Sequence, residues 1–139
     1  MVALAVLAPI VASQGGNGAT QTMTVVIRAL ATRELSRANA ARVIGRELLV
    51  GALNGLAFGV ITGIGAWIWF HQYGLGVVIA AAMLTNLIAG ALGGILVPLV
   101  LEFFEIDPAV SSSAFVTTVT DVVGYSSFLG FATVWFKLG

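Results

Sequence analysis

Hydrophobic positions fall in long runs along this chain, not in short alternating stretches. Residues 1–27 carry no charged side chain, 48–101 contain no Asp, Glu, Lys or Arg, and 109–136 contain one, Asp121. A helix that crosses a membrane needs about 20 apolar residues. The run 48–101 is long enough for two, and His71-Gln72-Tyr73-Gly74 divides it where a turn would fall. The pattern predicts helices at 48–70, 75–101 and 109–136. Asp107-Pro108 opens the last of these as an N-cap followed by proline at the first helical position. Residues 1–27 predict another membrane segment, interrupted by the polar, glycine-rich run Ser13–Thr22. The expected fold class is all-α, a polytopic membrane bundle of four segments that fills 1–139 as one domain, with an amphipathic linker helix.

The linker is the Arg-rich stretch 28–46, where Arg33/Arg37 and Arg42/Arg46 are four residues apart. That spacing suits two arrangements, a helix on the membrane surface with its arginines near anionic lipid, or a solvated linker helix. The positive-inside rule places the stretch in the cytoplasm. Trp67, Trp69, Phe70 and Tyr73 then end one outward span and Trp135 and Phe136 the other, both at the outer interface. The first eight residues also resemble a signal-peptide core, with Val11-Ala12-Ser13 as a cleavage site. No positive residue precedes them, and polar residues follow at once. This favours a chain that begins inside a larger protein.

Composition supports the membrane reading. Hydrophobic residues make up 59% of the 139 and charged residues 9%, with a mean hydropathy of +1.05. Soluble domains carry about 25% charged residues. The composition excludes an ordinary soluble enzyme, a nucleic-acid binder and a disordered linker. Net charge is zero and cysteine is absent, so there are no disulfides and no thiolate chemistry. The 17 glycines suit close helix packing. Gly51, Gly55, Gly59 and Gly63 recur every fourth residue, the small-xxx-small pattern of tight helix pairs. Asn54 and Asn86 are candidate interhelical hydrogen-bond donors. His71 reads as an interfacial histidine in a turn, and Pro9 and Pro98 as tolerated membrane-helix prolines.

Two features point to chemistry. The run Ser13–Thr22 places glycines and polar side chains inside an apolar segment. Loosened backbone at membrane depth must be buried in protein or line a water-filled cavity. Its oxygens would suit Mg²⁺, Ca²⁺ and their water shells. The alternative is a plain polar loop between two short membrane elements. Asp121 lies roughly 20 Å along its helix, near mid-membrane, with no Lys or Arg in the spans to pair with it. A carboxylate there costs about 2.5–3.5 kcal/mol on insertion scales. Helical spacing places Ser113, Thr117, Thr120 and Gly124 on its side of the helix. Either this stripe lines a cation pathway, or a protonated or hydroxyl-bonded Asp121 joins helices.

The residues resemble those of MgtE-type magnesium channels. Pro9, then Gln14-Gly15-Gly16-Asn17-Gly18-Ala19-Thr20-Gln21, then Ile27-Arg28-Ala29-Leu30-Ala31 are similar to that family's second membrane helix. Asp107-Pro108-Ala109-Val110-Ser111-Ser112, running into Val116–Gly124, is similar to its last. The resemblance covers essentially the whole chain. It implies a homodimeric transmembrane cation-channel domain in the cell membrane that conducts Mg²⁺ as transported ion. The pore would lie on the dimer axis between the second and fifth helices of both subunits. Asp121 and the backbone carbonyl of Thr117 would hold a largely hydrated Mg²⁺, with Ser113, Thr120, Gly15, Gly16, Asn17 and Gln21 lining the pore. Thr20 stands where the family usually has an Asn, and Ser13-Gln14 where Gly-Thr is common. These departures touch the upper pore. The family's first helix and its cytoplasmic N and CBS domains have no counterpart here. Rival readings are a channel or transporter for Co²⁺, Mn²⁺ or Ca²⁺, and a non-conducting assembly element. An enzyme is not expected.

Overall fold

A computed structural model describes residues 2–33 and 39–136 of the chain, excluding the side chains of Val2, Ala40 and 108–113. Four helices make up these residues: α1 (Val2–Ala31), α2 (Ala40–Phe70), α3 (Tyr73–Phe103) and α4 (Pro108–Phe136). Arg37 and Lys137 lie outside the described residues.

The helix ends follow local backbone chemistry. α2 stops because His71 takes a left-handed conformation (φ 56°), its N–H bonding the Trp67 carbonyl at 2.8 Å. Gln72 is extended, and α3 begins at Tyr73, so the break is shorter than the four residues expected. α3 ends in a Schellman turn. Glu105 is left-handed (φ 60°) and donates to the Glu102 carbonyl at 3.1 Å, while Ile106 donates to that of Leu101 at 2.9 Å. Pro108 opens α4, where its missing N–H costs nothing.

Two expectations are corrected. The Arg-rich stretch is not a separate linker helix among the described residues: Arg28 stands in the last turn of α1, and Arg42 and Arg46 stand near the start of α2. No proline or positive-φ residue interrupts 40–48, so α2 runs on past its apolar part. Nor is α1 interrupted, since residues 13–22 are helical throughout.

α3 is the central helix, packed on the other three, while α2 lies almost wholly against α3. Close contacts give the directions. Along α2, Gly63, Gly59, Gly55 and Gly51 meet Gly76, Ala80, Leu84 and Leu87 in turn, so α2 and α3 are antiparallel. α1 runs parallel to α3, with Gly15 against Asn86 and Ala19 against Gly94. α4 runs antiparallel to both: Gly124 meets Ala12 and Asn86, and Thr120 meets Gly16 and Gly90. Trp135 touches Gly74, which brings the tryptophans of α2 and α4 to one end of the bundle. Arg28 in the last turn of α1, Arg33 just past it, and Arg42 and Arg46 early in α2 stand at the other.

The outside is apolar. Leu53, Leu56, Ile61, Ile68 and Trp69 of α2 are all more than half exposed. By length and composition, Ala41–Phe70 and Tyr73–Phe103 are long and apolar enough to cross a membrane. Lipid tails are as apolar as leucine, so they leave these side chains outside at no cost. The helices then cohere through close van der Waals packing and interhelical hydrogen bonds.

Candidate cation-binding face

Along α4 every fourth residue from Val116 is buried: Val116, Thr120, Gly124, Phe128 and Ala132. Small residues in this stripe let α1 and α3 come near. A Cβ on Gly124 would stand 3.0 Å from the Ala12 Cα, and one on Gly16 3.6 Å from the Thr120 Oγ1. The Thr120 hydroxyl donates within its own helix, to the carbonyls of Thr117 (3.0 Å) and Val116 (3.3 Å). Asp121 follows Thr120 by 100° around the helix, and it is exposed, as is Thr117 one turn earlier.

The stripe expected on one side of α4 therefore divides. Thr117, Thr120, Asp121 and Gly124 share an arc of about 100°, but packing buries its Thr120–Gly124 edge and leaves Thr117 and Asp121 facing out. The side chain of Ser113 lies outside the described residues.

The glycine-rich motif of α1 divides too. Gly15 is buried, and a Cβ there would run into the Asn86 side chain. A Cβ on Gly18 would stand 2.5 Å from Leu87 Cδ2. These glycines are contact surface for α3, which is why the backbone stays helical. The hydroxyls of Thr20 and Thr24 donate to the carbonyls of Gly16 and Thr20, each at 2.8 Å. Gly16 faces α4, and Asn17 and Gln21 are exposed. Gln21 borders a groove between α1 and α2, with Gln14, Asn54 and Leu87, and Asn17 and Thr20 reach its edge as well.

The pairs Ala12–Gly124 and Gly16–Thr120 fix how α1 and α4 are rotated against each other. Counting 100° per residue from them, Ser13, Asn17 and Thr20 of α1 turn to the same side as Thr117 and Asp121 of α4, away from α3. All five are exposed. They form a polar face with one carboxylate, and α4 itself has no basic residue. Among the described residues no three His, Cys, Asp or Glu side chains gather into a metal cage. One chain thus offers an ion at Asp121 a single carboxylate plus hydroxyl, amide and carbonyl oxygens. Ser13 and Thr20 belong to the polar run expected at a pore but are not singled out within it, although 13, 17, 20 and 24 follow one helical stripe that the sequence already displays.

Gly51, Gly55, Gly59 and Gly63 stand elsewhere, on the buried side of α2. A Cβ at any of them would approach α3 to between 2.8 and 2.9 Å. Asn86 does join helices, donating from Nδ2 to the Val11 carbonyl of α1 at 2.9 Å.

An apolar helical bundle with a polar, carboxylate-bearing face has the layout by which membrane transport proteins line ion paths. Residues 8–131 match the model of the MgtE family, described as divalent cation transporter, and the chain belongs to that family. It is 33% identical over 135 residues to the magnesium transporter MgtE of Bacillus subtilis (strain 168), covering 97% of this chain and 30% of that protein. It is 32% identical over 134 residues to the magnesium transporter MgtE of Enterococcus faecalis, covering 96% of this chain and 30% of that protein. Against the magnesium transporter MgtE of Thermus thermophilus it is 33% identical over 132 residues, covering 95% and 29%. The chain thus spans about 30% of the length of these relatives.

Proposed function

We propose that this chain forms the membrane pore of a divalent cation channel that passes Mg²⁺ down its electrochemical gradient into the cell. The observation that carries the reading is Asp121, a carboxylate held out near the middle of α4 on a face shared with α1. Such a face is costly against lipid and suits a water-filled path. Two copies joined by their α1/α4 faces would enclose it and bring two Asp121 carboxylates to one axis. All four helices then cross the membrane, with the arginine end in the cytoplasm.

Mg²⁺ gives up its water reluctantly and keeps several waters when bound. A site built from carboxylates, hydroxyls and the Thr117 carbonyl holds such an ion through its hydration shell. Binding of this kind is firm enough to select and weak enough to release. A membrane potential of about 100 mV contributes about 4.6 kcal/mol to the inward movement of a divalent ion, twice the single-charge value.

The test is Mg²⁺ uptake into proteoliposomes, with a dye reporting the ion inside. Asp121→Ala is expected to abolish uptake while the protein stays folded and dimeric. Uptake at the wild-type rate would overturn the role of Asp121. Competition by Co²⁺, Mn²⁺ and Ca²⁺ in the same assay identifies the preferred ion.

A further inference from the structure

Asn86 is completely buried at the junction of α1, α3 and α4. Its side chain fills the space left by two absent Cβ atoms: Gly15 of α1 lies against it on one side, and a Cβ on Gly124 of α4 would stand 2.7 Å from its Nδ2. Nδ2 donates to the Val11 carbonyl at 2.9 Å, while Oδ1 has no hydrogen-bond partner. An unbonded buried acceptor is costly. A leucine has the same branching and number of side-chain heavy atoms, though more bulk, and carries no such cost, so apolar packing alone does not account for an amide here. The two helices it joins are those that carry the polar face. Val11 is one turn before Gly15 and Gly16, and Gly124 is one turn after Thr120 and Asp121.

We infer that Asn86 is a positioning residue of the conduction path. It anchors the α1 backbone at Val11 and seats in the notch at Gly124, which sets the rotation and depth of α1 against α4. Ser13, Asn17 and Asp121 thereby stand at fixed places along the path. Asn86 meets α1 at Val11 and Gly15, on the side turned toward α3 rather than the side that carries Ser13 and Asn17. The inference rests on the proposed role of the α1/α4 face in conduction.

The test uses the full protein in proteoliposomes. Asn86→Leu keeps the branched outline with some added bulk and removes the donor. It is expected to fold and dimerise while its preference for Mg²⁺ over Ca²⁺ falls about threefold to tenfold, the equivalent of one buried hydrogen bond. Gly15→Ala alone collides with the amide and lowers thermal stability. Adding Asn86→Ala removes the collision, and the double variant is expected to regain stability but not selectivity. Wild-type selectivity in Asn86→Leu, or in the stable double variant, would overturn the inference. If the wild-type protein carries no Mg²⁺, the conduction reading itself fails, and a disulfide reports the positioning independently. The chain has no cysteine, so Gly16→Cys with Thr120→Cys reads the α1/α4 register. Crosslinking that Asn86→Leu leaves unchanged would show that Asn86 sets no register.

Discussion

Gly63 and Gly76 bring the backbones of α2 and α3 into direct contact. A Cβ on Gly63 would lie 2.8 Å from the Gly76 carbonyl oxygen, and a Cβ on Gly76 would lie 2.7 Å from that of Gly63. Neither obstacle is a side chain that can swing away. Gly63→Ala must push the helices apart and is expected to cost about 1–3 kcal/mol. Gly65, two residues on, has nothing within 4 Å of its Cβ position. Gly65→Ala is expected to be neutral or to stabilise the helix by about 0.5–1 kcal/mol. Thermal unfolding of the two variants in detergent compares them. Equal stability would show that α2 and α3 do not approach this closely.

The outward face of α2 tests the membrane directly. Ile61 is 65% exposed in the middle of the apolar part of α2. In water, Ile61→Arg would cost almost nothing. In a bilayer it adds about 2.5–3.5 kcal/mol to insertion. A glycosylation-based insertion assay on α2 is expected to show a marked fall in the inserted fraction. Insertion equal to wild type would mean that this face does not meet lipid.

Much of this was legible in the sequence because local signals coincide. The uncharged run 48–101, the break near His71 and the Asp107-Pro108 start give α2, α3 and α4 almost to the residue, apart from the first turns of α2. The polar run in α1 misleads for a physical reason. Glycine and polar side chains are common in loops, yet here Gly15 and Gly18 are the surface on which α3 rests, and only the tertiary contact reveals it. The stripe on α4 was legible as an arc but not as two edges. Thr120 and Asp121 differ by one step of 100°, and which of them faces inward depends on where Gly16 and Gly90 stand. The position of Asn86 between two glycines from different helices needed all three helices in place.

The turn after α3 stores a removable strain. Glu105 occupies the left-handed position of a Schellman turn (φ 60°), where glycine is usual. A side chain in that conformation costs about 1 kcal/mol. Glu105→Gly keeps both turn hydrogen bonds, since they come from backbone groups. It is expected to raise stability by up to about 1 kcal/mol, seen as a higher melting temperature without change in transport. A lower melting temperature would indicate that the Glu105 carboxylate makes a contact worth more than the strain.

Thr120 and Asp121 are adjacent and 100° apart on the helix, one buried and the other exposed, so their substitutions should separate. Thr120 is fully buried, and its hydroxyl spends its one proton on the carbonyls of Val116 and Thr117. Thr120→Val preserves the shape and removes that donor. Both carbonyls lie inside a helix and keep their backbone partners, so the loss should stay near 0.5–1.5 kcal/mol. The hydroxyl also draws on the lone pairs of the Thr117 carbonyl, which belongs to the outward face. Freed of it, that carbonyl can accept more strongly from the water shell of a passing ion. Thr120→Val is therefore expected to conduct and to bind Mg²⁺ about twofold to threefold more tightly, below the change expected for losing a whole hydrogen bond. Asp121→Asn keeps the shape, removes the charge and is expected to stop uptake. The two variants are compared by the concentration dependence of Mg²⁺ flux in the same vesicles. Should Thr120→Val stop flux as completely as Asp121→Asn, the ion must meet the Thr120 hydroxyl itself, and the division of the stripe into a buried and a conducting edge would be wrong.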